Sequence, residues 1–282
     1  MSEIWLVKEG LPDACDKDLL VCKRPHSFLD TAKYRAQFKR ECSIHSSLNH
    51  PNIVGYIEDG IWQGQAYLVL EYLDGLSLRK LLDRTGWSLS LDCVLMVMTD
   101  IFTALDYLHK ANLIHCDINP SNILLSKSGD VKLADFGMAR KDDEHQSITT
   151  NDAVNNAAYL DAEIICEKSP LDKPADLFAA FVIFWEMLAK RRLFKARDRA
   201  ETLENAARCK VINPEQFNPA IPVKLADFVC RNLGRQRRKR LQNTAEILSI
   251  LRKFTVELNL KTDRKQLVRQ LPASSSSPPE IP

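Results

Sequence analysis

The sequence predicts an α+β fold in two parts, a small lobe of strands with one helix followed by a larger lobe built of helices. Two patterns carry this reading. Up to residue 73, short β-type runs alternate with turn residues, and from residue 74 apolar residues recur every three or four positions. Composition agrees: the 282 residues are 45% hydrophobic and 27% charged, enough to enclose a sizeable core and unlike a disordered or collagen-like chain.

In the small lobe, residues 4–8 and 19–23 are strand-like runs joined by a loop containing Gly10, Pro12 and Asp13. Residues 31–48 form a polar, charged helical segment closed by Asn49-His50-Pro51. Two further strand-like runs, 52–58 and 65–71, follow, with Asp59-Gly60 and Gly64 supplying turns. In the larger lobe, Val94, Met98, Ile101, Leu105 and Leu108 lay one apolar stripe on a core. Residues 177–188 are apolar nearly all round, which predicts a helix buried on every side. Further helices are expected at 200–208, 223–233 and 244–258. The folded unit is expected over residues 1–258, divided between 73 and 74. An extension, 259–282, reads as disordered from about residue 272, where four consecutive serines and four prolines occur.

Several function classes are disfavoured at once. Lys plus Arg total 39 against 37 Asp plus Glu, a net charge of +2, without the basic excess of a nucleic-acid binder. The N-terminus, Met-Ser-Glu-Ile-Trp-Leu-Val-Lys-Glu, is no signal peptide, and the longest apolar run, 177–185, is too short to span a bilayer. Eight cysteines without a C-x-x-C pair read as reduced thiols in a cytoplasmic protein.

The chemistry concentrates at 115–125, His-Cys-Asp-Ile-Asn-Pro-Ser-Asn-Ile-Leu-Leu, and 132–137, Lys-Leu-Ala-Asp-Phe-Gly. Asp117, Asn122 and Asp135 are hard oxygen donors on loops beside short apolar strands, a set that suits Mg²⁺ and a phosphate chain. This H-x-D-x-x-x-x-N followed by D-F-G resembles the signature of the eukaryotic-type Ser/Thr protein kinase family. The resemblance runs over roughly residues 2–255. It implies a bilobal protein-kinase-like fold with a small antiparallel-sheet lobe, and ATP- and Mg²⁺-dependent transfer of the γ-phosphate to hydroxyls of a protein partner.

Other residues extend the resemblance. Lys23, ending Val-Cys-Lys, is similar to the lysine that grips the ATP phosphates, and Glu41 to its ion-pair partner. Residues 67–75 resemble the last small-lobe strand and hinge, with Leu70 as gatekeeper and Glu71 to Leu73 offering backbone hydrogen bonds to adenine; Leu124 joins them as a nucleotide contact. Tyr159-Leu-Asp-Ala-Glu163 resembles the A-P-E segment, with Asp161-Ala162 replacing Ala-Pro. Asp176 matches the aspartate that braces the catalytic loop, and Arg240 the arginine that pairs with Glu163. In family terms Asp117 orients or deprotonates the substrate hydroxyl, Asn122 and Asp135 hold Mg²⁺, and Lys23, fixed by Glu41, positions the α- and β-phosphates. Pro120-Ser121 resembles the Ser/Thr rather than the tyrosine branch. Small-molecule phosphotransferases share H-x-D and Asn, but Glu163, Asp176 and Arg240 belong to the protein-substrate arrangement.

The pattern is also broken in places. Residues 2–6 align best with the family's second strand, so the first strand and the G-x-G-x-x-G phosphate loop are expected to be missing unless the chain begins further upstream; Gly10 reads as a hairpin residue. Without that loop the β- and γ-phosphates lose backbone N–H donors and shielding from water. Asn119 stands where the family has a phosphate-contacting lysine, and Asn156 where that lysine's threonine partner stands. Loss of the cation is expected to cost on the order of 2–4 kcal/mol of transition-state stabilisation. Cys116 replaces the arginine that receives an activation-loop phosphate, although Ser147, Thr149 and Thr150 remain as hydroxyls, and it reads as a small half-buried residue rather than a redox thiol. Val21 adds bulk over adenine, and His45 reads as a packed neutral histidine. The basic run Arg231, Arg235, Arg237, Arg238, Lys239 and Arg240 reads as a solvated loop with one structural arginine, Arg240, in preference to a nuclear-import or acidic-partner patch. The leading expectation is a slow Ser/Thr kinase. The alternative is a pseudokinase, a binding or scaffold module with or without nucleotide.

Overall fold

The computed structural model describes residues 2–8, 19–26, 31–143 and 157–271. In the small lobe β1 (Ser2–Lys8), β2 (Leu19–Pro25), β3 (Tyr56–Trp62) and β4 (Gln65–Glu71) form one antiparallel sheet in the order β1-β2-β4-β3. The alternating side-chain direction of β2 puts Val21 and Lys23 on one face, opposite Leu70 and Leu68 of β4. Helix α1 (Ala32–Ser46) starts at Thr31, whose hydroxyl accepts the N–H of Tyr34. It buries Phe38, Glu41, Cys42 and His45, spaced three and four apart so that they share one stripe. A carboxylate inside that stripe needs a cation to meet it.

The strand expected at 52–58 begins later. Leu133 of the second lobe accepts the N–H of Val54 at 2.9 Å and donates its own to the Asn52 carbonyl at 2.9 Å. These residues therefore tie the two lobes together, and the sheet starts at Tyr56.

The second lobe opens with β5 (Gly75–Ser77), which pairs with β7 (Ile123–Ser126), itself paired with β8 (Val131–Leu133). Gly75 permits this approach, because a Cβ there would sit 1.8 Å from the Leu125 carbonyl oxygen. Between these strands run α2 (Leu78–Arg84), α3 (Leu91–Lys110) and β6 (Leu113–Ile114), which pairs with β9 (Arg140–Lys141). Then follow α4 (Ala162–Glu167), α5 (Lys173–Ala189), α6 (Arg199–Arg208), α7 (Val223–Asn232), α8 (Thr244–Glu257) and α9 (Arg264–Gln270). Helix α5 is buried at every residue from Ala175 to Ala189 and forms the centre of the lobe, as its unbroken apolar run predicts.

Helix α9 lies in what reads as an extension from sequence, yet it packs on α3. Leu267 is fully buried, and the Arg264 guanidinium donates to both oxygens of Asp100 at 2.9 and 3.2 Å and to the Gly129 carbonyl at 2.8 Å. The tail expected to be disordered, 272–282, lies outside the described residues, as do Gly10, Ser147, Thr149, Thr150 and Asn156. Among the described residues no helix is long and apolar enough to cross a membrane.

Candidate active site

A cleft of about 690 Å³ separates the lobes, with Val21, Leu70, Leu73 and Leu124 at its apolar end and Lys23, Asp117, Asn122 and Asp135 at its polar end. The Lys23 ammonium on β2 lies 2.6 Å from Glu41 Oε1 and 2.8 Å from Asp135 Oδ1, so three residues far apart in sequence meet as one ionic triad. Burial works against the Lys23 charge, but Glu41 and Asp135 outweigh it and hold the amine protonated. Enclosure by the cleft pushes Asp135 up, and the same ammonium pulls it back below the usual carboxylate range. Asp135 sits in the left-handed region at φ +62°, fastened by the Gly137 N–H at 3.3 Å.

The loop carrying Asp117 is held from beneath. Asp176, buried in the first turn of α5, accepts the N–H groups of His115 and Cys116, both at 2.9 Å, and the His109 ring at 3.1 Å. These bonds stabilise Cys116 at φ +66°, a conformation costly for a residue with a Cβ. The expected brace is therefore present. Burial beside the Asp176 carboxylate pushes the Cys116 thiol well up, and its side chain packs by Leu160, Ile164 and Ala175, in keeping with an inert half-buried residue.

Asp117 is gripped from both sides. Asn122 Nδ2 donates to Oδ2 at 2.8 Å and Asn119 Nδ2 to Oδ1 at 3.0 Å, and each amide also reaches the Asp117 carbonyl. Asn119 Oδ1 accepts the Ser121 N–H at 2.9 Å, capping the turn 120–122. From sequence Asn119 reads only as a missing cation; its second role, holding the Asp117 carboxylate, depends on a loop geometry that spacing alone does not reveal. Burial pushes the Asp117 carboxyl above its ordinary value, against the pull of His115 and the two amides.

At the hinge, the Glu71 N–H is committed to the Gly55 carbonyl at 2.9 Å. Its carboxylate accepts the Gly55 N–H at 2.6 Å and pairs with Lys132 of the second lobe. The N–H of Leu73 has no partner among the described residues. Phe136 lies between two imidazoles, with ring centroids 4.9 Å from His45 and 4.8 Å from His115. His45 is fully buried, donates Nε2–H to the Val54 carbonyl at 2.6 Å and is pushed by burial toward the neutral form, as a packed histidine should be.

Two expectations need correction. Arg240 does not pair with Glu163; its Nη1 donates to Asp161 at 3.0 Å, and Glu163 accepts the Arg237 N–H at 2.9 Å. The cause is Asp161 itself, a buried carboxylate that draws in both Arg240 and Arg237, the latter also reaching Asp172 at 2.9 Å. The basic run thus holds two structural arginines rather than one, while Arg231, Arg235, Arg238 and Lys239 are exposed.

Comparison with known proteins agrees with this geometry. Residues 13–251 match the family model described as protein kinase domain. The chain is 28% identical over 264 residues to a probable serine/threonine-protein kinase of Clostridium acetobutylicum, covering 94% of this chain and 40% of that protein. It is 29% identical over 287 residues to the serine/threonine-protein kinase PknB of Mycobacterium leprae, covering 100% of this chain and 42% of that protein. To the serine/threonine-protein kinase PrkC of Bacillus subtilis it is 24% identical over 231 residues, 82% of this chain and 35% of that protein. The chain therefore spans less than half the length of these relatives. A lysine–glutamate pair bridging to the D-F-G aspartate, a buried aspartate under the loop that carries Asp117 and a family model matched across both lobes lead to one conclusion: the chain belongs to the protein kinase domain family.

Proposed function

We propose that the chain is an ATP-dependent Ser/Thr protein kinase domain that transfers the γ-phosphate to hydroxyls of a protein substrate, using Mg²⁺. The observation that carries this reading is a pair of unused hard oxygens. The Asn122 amide spends its Nδ2 on Asp117, and Asp135 spends Oδ1 on Lys23 and Gly137, so Asn122 Oδ1 and Asp135 Oδ2 have no protein partner among the described residues. Two such oxygens beside a phosphate chain fit Mg²⁺, which takes few protein ligands and completes its shell with phosphate and water. When bound, the metal supplies charge neutralisation at the phosphates.

The chain's own residues do the rest. The apolar faces of Val21 and Leu124 enclose the adenine, and the Glu71 carbonyl and the free Leu73 N–H fix its edge. Lys23, aligned by Glu41, orients the α- and β-phosphates. Asp117, its carboxylate directed by Asn119 and Asn122, orients the substrate hydroxyl and takes its proton as phosphoryl transfer proceeds. Asn119 brings no positive charge, so turnover is expected to run below that of a lysine-bearing site by a factor corresponding to about 2–4 kcal/mol. The described cysteines are all free thiols, which supports a reducing, cytoplasmic setting.

Thermal shift with Mg²⁺–ATP, followed by a phosphotransfer assay on Ser/Thr peptides, tests the reading. The wild type should be stabilised, Asp135→Ala should lose most of that shift, and Asp117→Ala should abolish transfer while retaining the shift. A wild type that ATP does not stabilise would overturn the proposal. So would transfer that survives Asp117→Ala.

A further inference from the structure

Beside the nucleotide cleft, and sharing Ser121 and Arg79 with it, lies a second cavity of about 220 Å³. Its floor is the stretch Asn119 to Ser121, directly after Asp117, and its walls carry four cations: Arg79 of α2, Arg192 and Lys195 after α5, and Arg199 at the start of α6.

Among the described residues the local charge does not balance. The Arg79 guanidinium has one exposed carboxylate, Asp83, at 3.6 Å, and Arg192 donates to the buried Glu186 at 2.9 Å. The Glu186 oxygens are already committed, to Arg192, the Leu193 N–H and the Tyr159 hydroxyl. Asp198 spends its carboxylate on capping α6 through the Glu201 N–H. Lys195 and Arg199 have no ion pair among the described residues.

The two inner arginines are also held in place by groups that do not neutralise them. Both guanidiniums stand over the Trp87 ring, at 4.9 Å for Arg79 and 5.8 Å for Arg192, and Arg192 lies 5.5 Å from the Tyr159 ring centroid. Arg79 Nη2 donates to the Tyr159 hydroxyl at 2.8 Å. Like charges gathered and ordered in this way repel one another, and an anion entering between them removes that repulsion without the usual cost of ordering long side chains. A merely solvated basic face would have no need of a concave wall or of stacked guanidiniums.

We infer that this cavity reads an anionic side chain, a carboxylate or a phosphate, a few residues from the hydroxyl presented to Asp117. The substrates would then be acidic or already phosphorylated protein segments. The word substrate rests on the kinase reading above; the anion site itself does not.

The test uses fluorescent peptides with a single serine in a Gly/Ala background, carrying Asp, phosphoserine, Ala or Lys at each flanking position in turn. Binding to the whole chain is read by anisotropy at low and high salt. At one position Asp and phosphoserine should bind at least about tenfold more tightly than Lys, with the preference weakening in salt. K195E/R199E, two exposed substitutions whose folding is checked by thermal unfolding, should reverse that preference. A preference for phosphoserine over Asp identifies a primed substrate, and parity identifies an acidic one. Equal binding of Asp and Lys peptides at every position, tighter binding of Lys, or no binding at all would overturn the inference. Phosphotransfer to the same peptides separates the two claims: bound anionic peptides that accept no phosphate would remove the kinase reading and leave the anion site standing.

Discussion

Asn119 occupies a position where chemistry and architecture pull apart. It lacks the charge that phosphoryl transfer favours, yet it spends its amide on Asp117 and its oxygen on Ser121. Asn119→Ala should therefore slow transfer further, by about tenfold in kcat if one charge-assisted hydrogen bond is worth about 1.5 kcal/mol, with the KM for ATP little changed. Steady-state kinetics on the two variables decides this. His45 offers a second check at the same scale. Its folded pKa is depressed by burial, so the unfolded chain binds the proton more readily. The stability it contributes is complete above the unfolded pKa of about 6.5 and is lost as pH falls below it. Chemical denaturation of wild type and His45→Gln between pH 7.5 and about 5 should show a shallower loss in the variant. The groups with distinctive chemistry at short, fixed spacing, Asp117, Asn122 and Asp135, are legible from sequence. Arg237 is not, because its partners Asp161, Glu163 and Asp172 reach it only once the lobe has closed.

Among the elements, α5 shows how a pattern becomes a site. Its all-round burial is written in its apolar run, and its first turn delivers Asp176 to the loop before Asp117 because the helix cannot move without opening the core. The β5–β7 contact is the opposite case, resting on a side chain that is missing. Gly75→Ala would drive a methyl into the Leu125 carbonyl, and the resulting shift should cost about 1–3 kcal/mol of stability, read as a lowered unfolding midpoint. Sequence places the start of β3 too early because residues 52–54 have ordinary strand composition, but backbone groups of Asn52 and Val54 are claimed by Leu133 of the other lobe. Local propensity carries no information about which sheet will accept a strand.

For the whole molecule, the two-lobed α+β plan follows directly from where strand-like runs give way to helical periodicity. Its edges do not. Helix α9 is short and polar, and nothing in its composition announces that Leu267 fills a place in the core and Arg264 anchors α3. Leu267→Ala should cost about 2–5 kcal/mol, measurable by urea denaturation, whereas a detached extension would leave stability unchanged. The basic cavity is illegible for a similar reason. Arg79, Arg192, Lys195 and Arg199 come from separate stretches of chain, and each alone reads as ordinary surface charge.

The Lys23 triad has a consequence for the order of binding. Within the triad a single ammonium is shared by two carboxylates, those of Glu41 and Asp135, and the Asp117 carboxylate lines the same cleft. Such a site repels a bare polyanion. Nucleotide stripped of metal should meet net repulsion there, while the metal brought in with it reverses the sign of the field, so each ligand strengthens the hold on the other. Calorimetric titration with ATP in chelator and in Mg²⁺ should show that dependence, and equal affinity in both would mean that the cleft discriminates by shape alone.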